Sequence, residues 1–472
     1  GFQNVGRGSL QRSTSFVFIP AVRDASADSV DAKGAVVARL MELVVRSAVQ
    51  KRPDFREFQE RSTAEYQQLV SPERMPELGG LADSLTGTLR DFYSEAGVAL
   101  RWQPANNFNV PLPNADVLLD EDGFEGPVDR KGHGLQRAFV VTLLQHLARA
   151  SSADSQEHIT QTINEVGEAV IEAAPYVLPG IILAVEEPEL YQHPTKQRHF
   201  ANVLRRLSDG TLPGVATQTQ VIFASHSSLF VSVERFDELR LARRCISADG
   251  ENRECRIQAT GFDPIIARLA HSRQEPLGNY TVHGLRSRLH VIDPEVAEGF
   301  FAEVAVIVEG VSDRAALSAA AHVMNIDLEG MGIALLNAEG KTKIDKPAAI
   351  FTELGIPTYV VFDCDQSKPA EVPNNHAIQR ILGVQQLFDA ETRVTENYAC
   401  FCEKSEQVLA EELTQEVFEA AIVQAQERFG IRRKEAIKNP AAMSYVLSQA
   451  AEAGHRSGTL EAIVKAIVAM RS

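Results

Sequence analysis

VAVIVEGVSDRAAL, Val304–Leu317, and VVFDCDQ, Val360–Gln366, decide how the second half of this chain folds. In each, an unbroken apolar run stops abruptly at acidic residues. Continuous rather than alternating apolar residues mark a strand buried on both faces, as in a parallel sheet covered by helices. The first run ends at Glu309, and a helix beginning around Asp313 would return a further acid to the same point. The second ends at Asp363 and Asp365, which lie two apart and point the same way if the extended conformation persists. Carboxylates gathered at neighbouring strand ends would repel unless a cation intervened. Hard oxygen ligands suit Mg²⁺ or Mn²⁺, and a pair of such ions stabilises both entering and leaving oxygens when water attacks a phosphodiester. Solvated strand-end acids are the plainer alternative.

Working outward, strands are expected at Ile333–Leu336 and Thr358–Phe362, with helices from about Asp313 and near Asp345, making a small α/β domain. From Ser405 the apolar spacing is helical, interrupted at Gly430, Pro440 and Gly454. Upstream, Phe16–Ile19 is a short β-rich run closed by Pro20, and Ala35 to about Gly97 reads as helical and charged, either a solvated insertion or a dimerisation arm. Leu135–Leu147 has helical spacing, while Gly180–Val185 and Val221–Ala224 are apolar runs suited to buried parallel strands. Arg240–Thr260 reads as a hairpin around Asp249-Gly250, and Gly261–Phe301 as a mostly helical connection.

At 472 residues the chain is long enough for two or three domains. No apolar run reaches the length needed to cross a bilayer, so no membrane partner is expected. The five cysteines, Cys245, Cys255, Cys364, Cys400 and Cys402, form no framework, which fits a reducing cytoplasm without structural disulfides; Cys400 and Cys402 could bind metal, but no second pair stands at zinc-ligand spacing, and buried or idle thiols are the better reading. A net charge of −16 argues against a uniformly basic coat for nucleic acid. It leaves room for a metal-dependent nuclease, whose cutting site is itself acidic.

A second constellation precedes the first. IILAVEEPEL, Ile181–Leu190, sets Glu186 and Glu187 at the carboxyl end of an apolar strand, where an α/β sheet presents groups to ligands. Glu186 would hold Mg²⁺, and Glu187 would orient or deprotonate the water that attacks a γ-phosphate. FASHSS, Phe223–Ser228, ends another strand with His226, either a γ-phosphate sensor or an ordinary loop histidine. KGHGLQRAF, Lys131–Phe139, places glycines before a helix N-terminus that favours an anion.

That order, with EEPELYQHP and ASHSSLF, resembles the ABC-type ATPases of the OLD (overcoming lysogenization defect) and related families. The resemblance makes Glu186 the Walker B acid, Glu187 the catalytic carboxylate, His226 the switch histidine, and Gly132, Gly134 and Gln136 the signature motif facing a partner's ATP. The P-loop pattern G-x-x-x-x-G-K-[ST] is absent; Gly340-Lys341-Thr342 has Leu335 where the first glycine should stand. With no initiator Met at Gly1, an upstream segment carrying the P-loop is expected, and these residues alone should bind ATP poorly.

The pattern Glu-Gly-x-Ser-Asp followed by Asp-x-Asp is similar to TOPRIM domains, and NAEGKTKID, Asn337–Asp345, resembles the glycine-lysine segment of the OLD version. This implies metal binding by Glu309, Asp313, Asp363 and Asp365. It also implies a later acid, for which Glu406 is preferred among Glu403, Glu406, Glu411 and Glu412, and a lysine, Lys438 in KNPAAMSYVL, that neutralises transition-state charge. The expected architecture is α/β. Residues 1–300 form an incomplete ABC-type ATPase portion with a helical insertion at about 31–105 and a hairpin and helical connection at about 239–300; residues 301–472 form a TOPRIM domain with C-terminal helices. The implied function is a Mg²⁺- or Mn²⁺-dependent DNA endonuclease, with two ions, under ATP control, serving anti-phage defence or DNA processing as a homodimer or higher oligomer, with a possible helicase partner. A non-nucleolytic, ATP-sensing scaffold is the alternative.

Overall fold

The computed structural model describes residues 14–19, 49, 52–69, 76–90, 96–98, 100, 117–132, 134–136, 138–140, 142–143, 180–211, 219–246, 253–289 and 294–471. The chain packs as two compact units, Gly1–Ser225 and His226–Ser472. Pro20, most of the stretch from Ala35 to Arg52, and the expected turn at Asp249-Gly250 lie outside the described residues.

In the first unit, β1 (Thr14–Ile19), β4 (Gly180–Glu186) and β5 (Thr219–Ala224) form a parallel sheet in the order β1-β4-β5. Between them in sequence come helices α1 (Pro53–Leu69) and α2 (Pro76–Arg90) and a hairpin of β2 (Leu118–Glu121) and β3 (Phe124–Pro127). Asp122 and Gly123 turn that hairpin with φ of 55° and 82°, the left-handed conformation a two-residue turn requires. Helix α3 (Pro194–Ser208) starts on Pro194, whose missing N–H costs nothing at a helix start, and buries Phe200, Val203, Leu204 and Leu207. The i, i+3, i+4, i+7 spacing of these four is what sets α3 on the sheet.

The second unit is built on a five-stranded sheet in the order β11-β12-β10-β8-β9. It comprises β8 (Val304–Val308), β9 (Ile333–Asn337), β10 (Thr358–Asp363), β11 (Arg393–Val394) and β12 (Tyr398–Phe401), all parallel except β11. Helices cover both faces. On one lie α6 (Val311–Val323), α10 (Gln415–Phe429), α12 (Pro440–Glu452) and α13 (Gly458–Ala469), packed with Val304, Val306, Val308, Tyr359 and Val361. The alternate residues Ala305, Ile307, Val360 and Phe362 face the opposite core, filled by α7 (Asp345–Glu353) and α8 (Val372–Ile381) and by two upstream helices. This two-sided burial explains the unbroken apolar runs, and truncating a central residue such as Ile307 to Ala would cost about 2–5 kcal/mol.

Those upstream helices, α4 (Phe262–Arg273) and α5 (Val282–Leu289), come from the stretch assigned by sequence to the ATPase portion. They pack within the second unit: Ile265, Leu269, Leu285 and Leu289 share a core with Ile350, Phe351 and Phe362. Arg273 on α4 pairs with buried Asp345 on α7 at 2.6 Å. Preceding α4, the antiparallel strands β6 (Leu241–Ile246) and β7 (Arg253–Gln258) are anchored by an Arg243 guanidinium bond to the Ala302 carbonyl. Packing therefore divides the chain after Ser225, whereas the sequence reading divided it after residue 300.

The C-terminal helices break where expected. Gly430 ends α10 at φ 64°, Pro440 opens α12 behind the Asn439 cap, and Gly454 follows α12 at φ 87°. Two short helices, α9 (Ser405–Glu412) and α11 (Arg433–Ala436), complete this region. Among the described residues, no helix is long and apolar enough to cross a membrane.

Candidate metal centre

The carboxylates of the second unit lie at the carboxyl ends of β8 and β10. Glu309 follows β8 directly; its N–H donates to the Val361 carbonyl at 3.1 Å, and its Oε2 accepts from the Asp363 N–H at 3.1 Å. The Glu309 side chain thus spans from one strand end to the next. Burial raises its pKa to about 7, Asp313 and Asp365 adding to the effect and Lys341 opposing it. Asp363 is pushed up to about 8, again chiefly by burial and then by the negative charge of Asp313, Glu309 and Asp365. Its Oδ1 is buried without a hydrogen-bond partner among the described residues. Such an oxygen demands either a proton or a cation.

Asp313 sits in the first turn of α6, where Oδ2 accepts from the Gly310 N–H at 3.1 Å and so acts as a helix cap. Its Oδ1 accepts from the buried Ser405 hydroxyl at 2.7 Å. Burial raises the Asp313 pKa, with Glu406 among the contributing charges, so α9 brings Glu406 into this neighbourhood. The remaining late acids are engaged elsewhere: Glu403 binds the Ser367 N–H at 2.8 Å, Glu411 accepts from Gln407, and Glu412 caps α13 through Thr459.

Asp365 departs from expectation. The strand ends at Asp363, and Asp365 takes φ 52°, so the extended conformation that would have aligned the two side chains does not persist. Asp365 instead accepts from Lys341 at 2.6 Å and from Lys368 at 2.8 Å. Its burial would raise the carboxyl pKa, but these lysines outweigh that and lower it. Among the described residues, no three His, Cys, Asp or Glu side chains stand together closely enough to hold a metal ion. The carboxylates form an electrostatic neighbourhood rather than a closed ligand cage.

Lys341 is the site residue that the sequence reading did not single out. Its side chain is 4% exposed. Gly340 delivers it: at φ 126°, which favours glycine, Gly340 donates its N–H to the Glu309 carbonyl at 2.8 Å and turns the chain inward. The signal was present in Gly340-Lys341-Thr342, read only as a failed P-loop and as part of a glycine-lysine segment. Lys438, the expected lysine, is exposed in the turn between α11 and α12.

The donor chemistry fits Mg²⁺ or Mn²⁺. Such ions are commonly held by one or two carboxylates, with water and substrate phosphate completing the shell. Glu309 and Asp363 are adjacent, half-buried, reluctant to ionise alone, and leave one buried oxygen, Asp363 Oδ1, free of hydrogen bonds among the described residues.

In the first unit, Glu186 ends β4 and Glu187 follows it at φ 44°, buried, with its N–H bonded to the Ala224 carbonyl of β5 at 2.8 Å. Ser225 donates to Glu189 at 2.8 Å, tying the loop after β5 to the loop after β4. Gly132 and Gly134 are exposed, while Gln136 is buried and donates to the Lys131 carbonyl at 2.7 Å. His226 is exposed and begins the second unit.

Two domain families match the chain. Residues 8–231 match the AAA ATPase domain family, and residues 300–365 match the "Overcoming lysogenization defect protein-like, TOPRIM domain" family. The chain is 26% identical over 308 residues to an OLD nuclease of Thermus scotoductus, covering 60% of this chain and 47% of that protein. Against the Old nuclease of Escherichia phage P2 it is 22% identical over 355 residues, covering 74% and 53%. The chain thus spans about half the length of these curated relatives. Among solved structures, the C-terminal region of the Xanthomonas campestris OLD protein matches at 19% identity and TM-score 0.26, covering 37% of this chain and 96% of that one.

Proposed function

We propose, for a chain whose AAA ATPase and OLD-like TOPRIM domains place it with the OLD family, that it cuts DNA at the carboxylates ending β8 and β10. The reading rests on one observation. Asp363 Oδ1 is buried without a partner among the described residues beside Glu309, and both groups resist ionisation until a cation arrives. Glu309 and Asp363 would hold Mg²⁺ or Mn²⁺, and Asp313, Asp365 and Glu406 would be the ligands of a second ion. When bound, the metal supplies Lewis-acid polarisation of the phosphodiester and lowers the pKa of water.

The chain's own residues supply orientation and charge. The Asp363 N–H fixes the Glu309 carboxylate, and Ser405 fixes that of Asp313. Lys341 neutralises and pins Asp365. Lys438, which is exposed, would meet the charge that grows on the scissile phosphate. The ATPase motifs would assign Mg²⁺ binding to Glu186, orientation of the hydrolytic water to Glu187, γ-phosphate sensing to His226, and contact with a partner's ATP to Gly132, Gly134 and Gln136, with ATP regulating the nuclease in a homodimer. DNA is the partner; a role in anti-phage defence or DNA processing beside a helicase follows the family reading.

Plasmid nicking with Mg²⁺ or Mn²⁺ tests the site. Glu309→Ala and Asp363→Ala should each abolish cutting, and nicking that persists in both would remove the assignment. The absence of a three-carboxylate cage among the described residues favours one competing reading, a non-nucleolytic ATP-sensing scaffold. It prevails if no divalent ion supports cutting by the unsubstituted protein.

A further inference from the structure

β9 is the outermost strand of the five-stranded sheet, and among the described residues it pairs with β8 alone. Register fixes which of its backbone groups that leaves open. Val308 and Asn337 are partners, and the Ala338 N–H donates to the Val308 carbonyl at 2.9 Å. Successive residues of a strand turn their N–H and C=O groups to opposite edges, so Ala334 and Leu336 bond β8 while Ile333, Leu335 and Asn337 turn theirs outward. The Ile333 N–H is taken by the Leu328 carbonyl at 2.9 Å. The Leu335 N–H and C=O, the Ile333 C=O and the Asn337 N–H have no backbone partner among the described residues.

This edge borders a groove of about 940 Å³, lined by Phe301 and Ala302 from one covering layer and by Ser318 and His322 of α6 from the other. Free edges are ordinarily guarded by charged residues, proline or a bulge. β9 reads Ile-Ala-Leu-Leu-Asn in unbroken register with β8 and carries none of these. A short edge left to solvent is the plainer alternative, but the groove also has a chemical preference. Glu298, Asp327 and Glu329 line it and are exposed. Arg314 is the one Lys or Arg among its lining residues, and Glu295 holds that guanidinium at 3.1 Å. The groove is therefore acidic. It repels a nucleic acid backbone, and it repels the same carboxylates on a second copy of this chain.

We infer that the β9 edge docks an extended, basic segment of a partner protein, which joins the sheet as a further strand opposite Leu335. Main-chain bonds to Ile333, Leu335 and Asn337 supply affinity, as in other strand additions, and the three carboxylates select Lys and Arg side chains. The docking surface uses no residue of the metal centre and does not depend on the nuclease reading.

The full chain is titrated at low ionic strength into a fluorescein-labelled Gly-Lys-Val-Arg-Val-Lys-Gly peptide, read by fluorescence anisotropy. Saturable binding is expected. N-methylation of two adjacent central residues, one of whose N–H groups must face β9, should weaken it by about tenfold, and this needs no protein variant that might fail to fold. The same peptide with Glu for each Lys and Arg should bind weakly or not at all. Glu298→Lys with Glu329→Lys, both at exposed positions, should weaken the basic peptide by about tenfold without lowering the melting temperature. Hydrogen exchange resolved to single amides localises the contact: the Leu335 amide should slow on binding, whereas those of Ala334 and Leu336, already bonded to β8, should change less. No saturable binding, equal affinity for the N-methylated or the acidic peptide, an indifferent double variant, or an unchanged Leu335 amide overturns the proposal. Leu335 protection that rises with chain concentration in the absence of peptide assigns the edge to a second copy and overturns it as well.

Discussion

Glu309→Gln should stabilise the metal-free protein at alkaline pH while destroying its response to metal. Burial raises the Glu309 carboxyl from 4.5 to about 7, so the folded state binds more protons than the unfolded state between those values. Stability therefore falls as pH rises through that window, and the loss is complete above about 7. At about 1.4 kcal/mol per pH decade, ionising Glu309 in place costs ~3 kcal/mol. Glutamine keeps an oxygen to accept the Asp363 N–H and carries no charge, so it escapes that cost and also relieves Asp363. For a folding unit the size of His226–Ser472, ~3 kcal/mol corresponds to roughly 6–12 °C in Tm. The assay is calorimetry of chelator-treated wild-type and variant protein at pH 5 and pH 8. The gap in Tm should be small at the lower pH and open at the higher one. Adding Mn²⁺ at pH 8 should raise the wild-type Tm, with proton release, and leave the variant nearly unmoved. A gap of equal size at both pH values would refute the argument, because it would show that the buried charge is not what the substitution removes.

Three further outcomes are expected. Lys341→Met leaves buried Asp365 with Lys368 alone and should cost about 3–5 kcal/mol by denaturant unfolding, and Lys341→Met with Asp365→Asn should recover most of the stability. Lys438→Ala should lower nicking with Mn²⁺ affinity unchanged and stability within about 0.5 kcal/mol, since the residue is exposed; a change in metal affinity would contradict its assigned role. Glu406→Ala should weaken Mn²⁺ binding by calorimetry, whereas Glu403→Ala should only free Ser367; the reverse ranking would move the later ligand to Glu403.

What could be read from sequence follows from where each constraint resides. Val304–Val308 and Thr358–Asp363 lie in the middle of a sheet covered on both sides, so burial leaves only apolar residues and the strands announce themselves. Gly430, Pro440 and Gly454 act through their own backbone, so helix boundaries were equally plain. Helix α8 was not, because VPNNHAIQRI opens with residues that favour turns; tertiary bonds outweigh that preference, Asn375 and Gln379 both being fully buried and spent on the carbonyls of Cys364, Asp389 and Phe388. The four-residue strand β12 shows too little pattern to separate it from a loop.

The candidate centre divides in the same way. Its residue types were legible, because a carboxylate ending a buried strand is costly and conspicuous. The arrangement was not legible, because it depends on partners distant in sequence. Asp365 looks interchangeable with Asp363 until Lys341, 24 positions earlier, claims it. Asp313 looks like a free ligand until Ser405, 92 positions later, binds it. Each such bond lowers the electrostatic cost of the metal-free fold, and each must be loosened for its carboxylate to enter a ligand shell. Glu309 and Asp363, with neither a lysine nor a hydroxyl bonded to their carboxylates among the described residues, bear the unrelieved share of that cost. They are therefore the pair that a cation stabilises most, and binding should begin there.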